Sequence, residues 1–336
     1  MSHVPDMRQS EFYNYMAPIN MDEGLEPLFS DLVRTAAFQR LRDVKFLGGI
    51  DYLLVRAPNG APTNARFTRF QHSLGVARLA LLYADLKNLP RCSRQLAYAA
   101  ALLHDIGHAP LSHSLEPVFE EEFGVNHHEI AEEIITGKNS LGAEVFSVLK
   151  SYGVDPEQVI AIISGDDDPF DGFFSGPINF DTIEGVLRSR RYVNPVAISP
   201  LPTDIVRAAT FRNSPADRQL VDSFWRCKDE VYRIVIRSRP GVTADYLCQR
   251  VARKCLTKQD FFKTEKALFA KLPKLRHVLK VCRSPSKEML NIFEPISYKE
   301  RNFHIDQEGD FFERNDKRRY RQSKREKVLF MHGELA

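Results

Sequence analysis

The hydrophobic positions of this chain fall mostly at helical spacing. Leu220, Val221, Phe224, Trp225, Val231, Tyr232 and Val235 lie on one 3.6-residue stripe, and Ala244, Leu247, Cys248, Val251 and Cys255 form another. Each stripe predicts an amphipathic helix packed on a core. Between Ser73 and Leu89 the pattern changes: Leu74, Ala77, Leu81 and Ala84 mark one side, but most other faces are apolar too, which predicts a helix at the centre of the molecule. A second buried helix is expected from Ser93, as N-cap, through YAAALL to His104 and Asp105, where Gly107 and Pro110 break it. A third opens at Asn126, with Glu129 three residues on in the spacing of a capping box, and carries His127, His128 and IAEEII.

Two-residue alternation is scarce. One hairpin is expected, pairing Tyr52 to Val55 with Ala65 to Thr68 across a turn rich in Pro, Asn and Gly. The fold class that follows is all-α with one small ribbon. The stretch SGDDDPFDGFFSGP, Ser164 to Pro177, reads as a solvated loop, because its adjacent aspartates lack the alternate-position ligands of a calcium loop. From Tyr298 onward periodicity fades and polarity rises, which predicts a peripheral tail. The expected organisation is an extension over 1–20, a core over 21–195, further helices packed on it over 196–297, and a polar, basic tail over 298–336.

Composition narrows the class. The chain has 336 residues, 43% of them hydrophobic, ample for a sizeable core and incompatible with disorder throughout. No apolar run approaches the ~20 residues of a bilayer span, and the N-terminus lacks a signal-peptide layout, so a soluble, cytoplasmic protein without membrane contact is expected. The five cysteines are odd in number and lack CxxC spacing, which reads as reduced thiols, with Cys248 and Cys255 as core filler. Seven of the basic residues, against one Glu, crowd into Lys317 to Lys327. The rest of the chain is slightly acidic, so nucleic acid is a candidate partner only through that basic tail.

Six of the ten histidines lie between His72 and His128. His104 and Asp105 close a buried helix, where polar groups are costly unless a metal or a reacting phosphate compensates them. His72, from the neighbouring central helix, supplies a third candidate ligand, and Asp181 at the apolar helix start INFDTIEGVLRS is the best fourth. Imidazole nitrogens with carboxylate oxygens suit several divalent ions, Mn, Mg, Fe, Co, Ni or Zn, without selecting one.

The segments RFQHSLGVARLA, LLHDIGHAPLSH, NHHEIAEEII and the later aspartate resemble the ordered H…HD…D signature of the HD-domain metal-dependent phosphohydrolases. The upstream FQRLRDVKFLGG, Phe38 to Gly49, resembles the branch of dGTP and dNTP triphosphohydrolases. The resemblance runs from about Pro18 to Asp181 and, more loosely, to Leu256. It implies that His72, His104, Asp105 and Asp181 bind a divalent ion that polarises a phosphoryl oxygen and activates a water. It also implies that His128 donates a proton to the leaving oxygen, that Glu116 orients it, and that Arg69, His108 and His113 contact phosphates. Glu129 is as well explained by the helix cap, and His127 reads as an exposed first-turn histidine.

The chain departs from this branch around the substrate. Phe46 stands where the relatives commonly have Gln, and Thr182, Gly185 and Ser189 stand where they have Lys, Tyr and Asp that touch a phosphate and the sugar's 3′-hydroxyl. The expected activity is therefore hydrolysis of a nucleotide-type phosphate ester or anhydride, with the exact substrate open. Arg188, Arg190 and Arg191 are candidates for replacement phosphate contacts. The alternatives are a phosphodiesterase with a second ion among His108, His113, His127 and His128, and a nucleotide or nucleic-acid sensor with vestigial hydrolysis. Assembly of two or more copies is expected from the resemblance.

Overall fold

The computed structural model describes residues 27–53, 66–194, 200–282, 295–313 and 318–329. Fourteen helices occur among them: α1 Pro27–Arg34, α2 Ala36–Arg40, α3 Arg69–Leu86, α4 Arg91–Leu103, α5 Glu116–Phe123, α6 His127–Ile135, α7 Ala143–Ser151, α8 Pro156–Ser164, α9 Phe180–Arg190, α10 Pro202–Phe211, α11 Pro215–Val231, α12 Arg239–Ala252, α13 Glu265–Lys271 and α14 Pro273–Cys282. One antiparallel pair, β1 Ile296–Ile305 and β2 Tyr320–Leu329, completes the regular structure, with Phe303 opposite Gln322 in its register. The all-α architecture with a small ribbon stands. No described helix is long and apolar enough to cross a membrane.

α3 is the central helix that its sequence predicts. Thr68 and Gln71 close a reciprocal capping box at its start, and Phe70, Val76, Ala77, Leu79, Ala80 and Tyr83 are buried around its circumference. It packs along α4 and against α9 and α10, while α11 joins α9 on one side and the β-ribbon on the other. A single main core runs from Leu28 to Tyr320, so the helices after Pro202 share it with those before.

Several local expectations shift. α4 begins at Arg91 behind Pro90, two residues before Ser93, because a proline's fixed φ suits a helix entry without a side-chain cap. The expected hairpin lies mostly outside the described residues; of its ends, Tyr52 closes a 3-10 turn from Gly48, and Thr68 bridges to Lys45. The ribbon comes instead from the segment expected to be a tail. Cys248 is buried, whereas Cys255 lies past the end of α12 and is exposed. The aspartate-rich loop is not merely solvated: Asp168 accepts from the backbone N–H groups of Phe170, Phe174 and Ser175, and Phe170 and Phe173 are buried.

The ribbon is polar along nearly its whole length, and few side chains hold it. Phe303 packs edge-on against Trp225, whose Nε1 donates to the His304 carbonyl oxygen at 3.0 Å. Arg319 makes a bidentate pair with Asp222 of α11, 3.0 and 2.6 Å, which Tyr320 joins through its hydroxyl. A buried, two-pronged pair of this kind fixes orientation more than it adds stability.

Candidate metal and phosphate site

His72 sits one turn into α3, His104 caps the C-terminal end of α4, Asp105 follows it, and Asp181 lies in the first turn of α9. Their ligand atoms converge. His72 Nε2 is 3.0 Å from Asp181 Oδ1, 3.3 Å from His104 Nε2 and 3.4 Å from Asp105 Oδ2. His104 Nε2 is 3.4 Å from Asp105 Oδ2 and 3.8 Å from Asp181 Oδ1. Ligands about 2.1 Å from a common ion stand roughly 3.0–3.4 Å apart in octahedral or tetrahedral geometry, so this donor set fits a divalent cation.

The outer partners fix which nitrogen faces the site. His104 Nδ1 donates to the Ala101 carbonyl oxygen at 2.8 Å, and His72 Nδ1 donates to Glu184 Oε2 at 2.5 Å. Both Nε2 atoms are thereby turned toward the carboxylates, as metal-binding imidazoles are. Burial disfavours charge on His72, but Glu184, then Asp181 and Asp105, push its pKa up to about 9. The cluster calls for positive charge, which a proton or a divalent ion supplies.

Glu184 escaped the reading of the sequence, although its spacing carries a signal. It follows Asp181 by three residues and precedes Arg188 by four, so all three share a face of α9. Arg188 Nε donates to both Glu184 oxygens, at 2.9 and 3.0 Å, and burial of the carboxyl is outweighed by Arg188 and His72, which hold its pKa low. Gly75, one turn after His72, makes room: a Cβ there would stand 2.4 Å from Glu184 Oε1. Arg188 is consequently committed to Glu184 and the Gln71 carbonyl and is no substitute phosphate contact.

Asp105 is gripped from two sides. Arg69 Nη1 donates to its Oδ2 at 2.6 Å, and His108 Nε2 lies 3.2 Å from its Oδ1. Arg69 is thus nine-tenths buried against the HD carboxylate, and its Nε also reaches Ser112 Oγ at 3.1 Å. Ser112 and Leu111 both hold positive φ, 44° and 61°, a strained turn of the kind that clusters at functional sites.

Glu116 does something other than expected. Its carboxylate takes His127 Nδ1 on one oxygen and His113 Nδ1 on the other, the latter at 2.8 Å, and makes no bond to His128. Burial would raise its pKa, but the two imidazoles hold it far below the carboxylate range. Successive helical residues point about 100° apart, so only one of His127 and His128 can face α5. His127 is the one that does. Close approach at Gly107 sets this up: a Cβ there would meet the His127 carbonyl oxygen at 2.0 Å and Ala131 N at 2.5 Å, so α6 lies directly on the turn after Asp105. Asn126 and Glu129 form the expected capping box, which accounts for Glu129.

His127 stacks on His108, with ring centroids 4.1 Å apart and planes 10° apart, and His113 meets His108 edge-on at 4.8 Å. His108, His113 and His127 form a second group whose nitrogens can share one ligand. His108 is buried, its Nδ1 has no hydrogen-bond partner, and burial, then Arg69 and His127, drive its pKa well down. His128 lies beside His127, ring centroids 3.9 Å apart, on the exposed side.

Residues 69–173 match the HD domain family model. Those residues are similar to HD domains. It is similar to the uncharacterised protein YwfO of Bacillus subtilis, 37% identical over 141 residues, which is 40% of this chain and 30% of that protein. An uncharacterised protein of Mycoplasma genitalium is 33% identical over 161 residues, 47% of this chain and 36% of its own length. The human deoxynucleoside triphosphate triphosphohydrolase SAMHD1 is 33% identical over 161 residues, 44% of this chain and 24% of its own. The chain thus spans about a quarter to a third of the length of these relatives. These matches support the resemblance of residues 69–173 to HD domains, that of the dNTP triphosphohydrolase SAMHD1 among them.

The HD domain forms only part of its own pocket. A cavity of about 1180 Å³ opens on Asp105, Asp181, Glu116, His127 and His128, and its far wall is α11, α12 and the ribbon. Two departures from the resembling branch prove to be one. Phe46 lies against His72, ring centroids 4.6 Å apart, and a Cβ at Gly185 would come within 3.3 Å of Phe46 Cζ. An aromatic ring at 46 occupies the room that a large side chain at 185 needs. Thr182 and Ser189 also line this wall, without a charge between them.

Proposed function

We propose that this chain is a metal-dependent phosphohydrolase acting on a nucleotide-type phosphate ester or anhydride. The observation that carries the proposal is the convergence of His72, His104, Asp105 and Asp181 at ion-coordinating separations, with the Glu116-held His127 across the same cavity. The side chain of Asp181 is 58% exposed while His72 is fully buried, so the cluster presents an open face to a ligand. A bound divalent ion would polarise a phosphoryl oxygen and acidify a water at that face. Arg69 keeps Asp105 ionised and oriented, and Glu184 keeps His72 in the tautomer that ligates. The imidazole that Glu116 holds by Nδ1 is set to deliver a proton from Nε2 to the leaving oxygen; this assigns to His127 the role expected of His128.

The likeness to SAMHD1, a deoxynucleoside triphosphate triphosphohydrolase, supports a nucleotide as the ligand class, but the pocket differs where its sugar would be read. Phe46, Gly185 and Ser189 offer fewer hydrogen bonds than Gln, Tyr and Asp, and a hydroxyl left unpaired in a closed site costs about 1–3 kcal/mol. The substrate is therefore not tuned to the same deoxyribose. A panel of nucleoside mono-, di- and triphosphates with Mn, Mg, Fe, Co, Ni or Zn, read by chromatography of both products, tests this; release of triphosphate, pyrophosphate or orthophosphate names the bond. No turnover of any member with any ion sinks the proposal.

The group His108, His113 and His127 favours a second reading, a phosphodiesterase with two ions. Metal analysis separates the two, since this version holds nearly two ions per chain. A nucleic-acid partner for the basic strand is less well supported, because Arg325 and Lys327 pair with Glu300, Arg321 with Asp306 and Arg319 with Asp222. Assembly into dimers or larger forms is a further proposal that light scattering checks directly.

A further inference from the structure

Three cations on the far wall of the cavity form no ion pair among the described residues, although Arg237 is near enough to Asp245, and Lys228 to Asp181, to feel the carboxylate's field. Lys228 of α11 is only 7% exposed, yet among the described residues its ammonium makes no ion pair and no hydrogen bond. It rests on the faces of Trp225 and Phe303, 4.6 and 4.9 Å from the ring centroids. Arg301 of β1 and Arg237 each carry a buried Nε without a hydrogen-bond partner, and both line the same cavity. Arg237 follows the π-helical turn Tyr232–Ile236, an irregularity that re-aims the chain leaving α11 toward the cavity. Two carboxylates on this wall, Asp245 and Glu326, form no ion pair with any of the three. Asp245 takes Ser114 Oγ instead, at 2.5 Å.

Buried cations without partners are costly, and proteins retain them where a ligand completes the pairing. The position matters as much as the charge. Thr182 leaves the α9 wall uncharged beside Asp181, and Lys228 faces the same carboxylate from across the cavity, near enough to feel its field. Arg188, Arg190 and Arg191 do not fill this role: Arg188 is spent on Glu184, Arg191 lies over Phe67, and none of the three lines the cavity.

We propose that Lys228, Arg237 and Arg301 form a second anion-binding pole, which holds a phosphate beyond the one at the metal cluster. The preferred ligand then carries a chain of at least two phosphates, and residues outside the HD match select it. This rests on the metal-cluster assignment above. Guanidinium and ammonium groups suit the two kinds of contact required, planar pairing on the ribbon side and a point charge on the α11 side.

The test is calorimetric binding of inorganic triphosphate and of orthophosphate to the metal-loaded full chain, to Lys228→Met and to Arg301→Gln. Methionine keeps the aliphatic stem on Trp225 and Phe303, and Arg301→Gln alters a half-exposed strand position, so that one folded variant suffices; circular dichroism and metal content confirm each. The wild type should bind triphosphate at least about tenfold tighter than orthophosphate, and each variant should lose about tenfold for triphosphate while staying within about threefold for orthophosphate. Equal affinity of the wild type for both anions overturns the proposal, as does a triphosphate affinity that folded variants leave unchanged. Triphosphate preference that depends on Lys228 but accompanies no nucleotide turnover supports the pole and sinks the hydrolase; turnover with no effect of either variant on triphosphate binding does the reverse.

Discussion

The two sides of the cavity are built on different principles. On the proposed metal side, three of the four candidate ligands have a partner behind them, Glu184 behind His72, Ala101 O behind His104, and Arg69 and His108 around Asp105, and Glu116 likewise holds His127. On the far side, Lys228 rests on the rings of Trp225 and Phe303 without an ion pair, and Arg237 and Arg301 each leave a buried Nε without a hydrogen-bond partner. A network braced in this way holds its geometry before a ligand arrives, whereas cations without an ion pair gain most of their stabilisation from the ligand itself. On the proposed assignments, the metal side is the place of chemistry and the far side the place of choice among ligands.

The largest effect that separates them is Asp105→Asn. It removes one anionic ligand and strands Arg69, so bound metal should fall to a trace and turnover by more than about a thousandfold. Metal analysis beside a rate measurement checks this. If metal stays bound and turnover persists, Asp105 is no ligand and the comparison fails at its root.

Next comes the proton donor. His127→Asn should lower kcat by roughly a hundredfold or more with metal content intact, in line with the loss of a general acid, while His128→Asn should cost less than about fivefold. The pair of variants discriminates sharply, because the two side chains are adjacent in sequence and differ in whether Glu116 holds them. A larger loss in the His128 variant would return the role to the residue that the sequence motif favours.

Glu184→Gln probes the support behind the cluster. The amide can still accept from His72 Nδ1, but Arg188 loses its counter-charge, and metal affinity should drop about 10–100-fold, as is typical for outer partners of ligating histidines. Competition with a chelator of known affinity measures it. Unchanged affinity would mean that His72 is held by packing against Phe46 alone.

The metal side was legible in the sequence because its signals are local. His104 and Asp105 are adjacent, His72 and Gly75 lie one turn apart, and Asp181 stands out as a charge in an apolar helix start. Even there, the choice between His127 and His128 depended on how α6 docks at Gly107, which no spacing within α6 reveals. The far side was illegible for a reason of distance. Lys228 and Arg301 are brought together by the ribbon, whose strands carry so few apolar residues that alternation could not announce them; only Ile296, Phe303 and Tyr320 are buried in it. Its position is set by contacts to Trp225 and Asp222, some 80 to 100 residues away in sequence. The departures at Phe46 and Gly185 were visible singly, and their contact explains why they occur together.

A last, smaller test asks whether the scaffold of the metal side can be perturbed without touching either pole. Glu265 of α13 is buried and accepts from Lys45 N at 2.6 Å, from Leu111 N at 3.1 Å and from the Tyr52 hydroxyl, so it ties the strained turn after the HD pair to the rest of the fold. Burial pushes its pKa up from 4.5 to about 7, against those three hydrogen bonds. Its folded value thus exceeds its unfolded one, and between the two values the folded state holds a proton that the unfolded chain has released. Stability should therefore fall as pH rises from 5 to 7, by about 2 kcal/mol from this group. Glu265→Gln cannot ionise and should flatten that part of the profile in urea melts at the two pH values, with turnover within about twofold of the wild type. An unchanged slope would show that Glu265 ionises as freely in the fold as outside it. A collapse of turnover would show that the turn at Leu111 and Ser112 needs the carboxylate to keep His108 and Arg69 on Asp105.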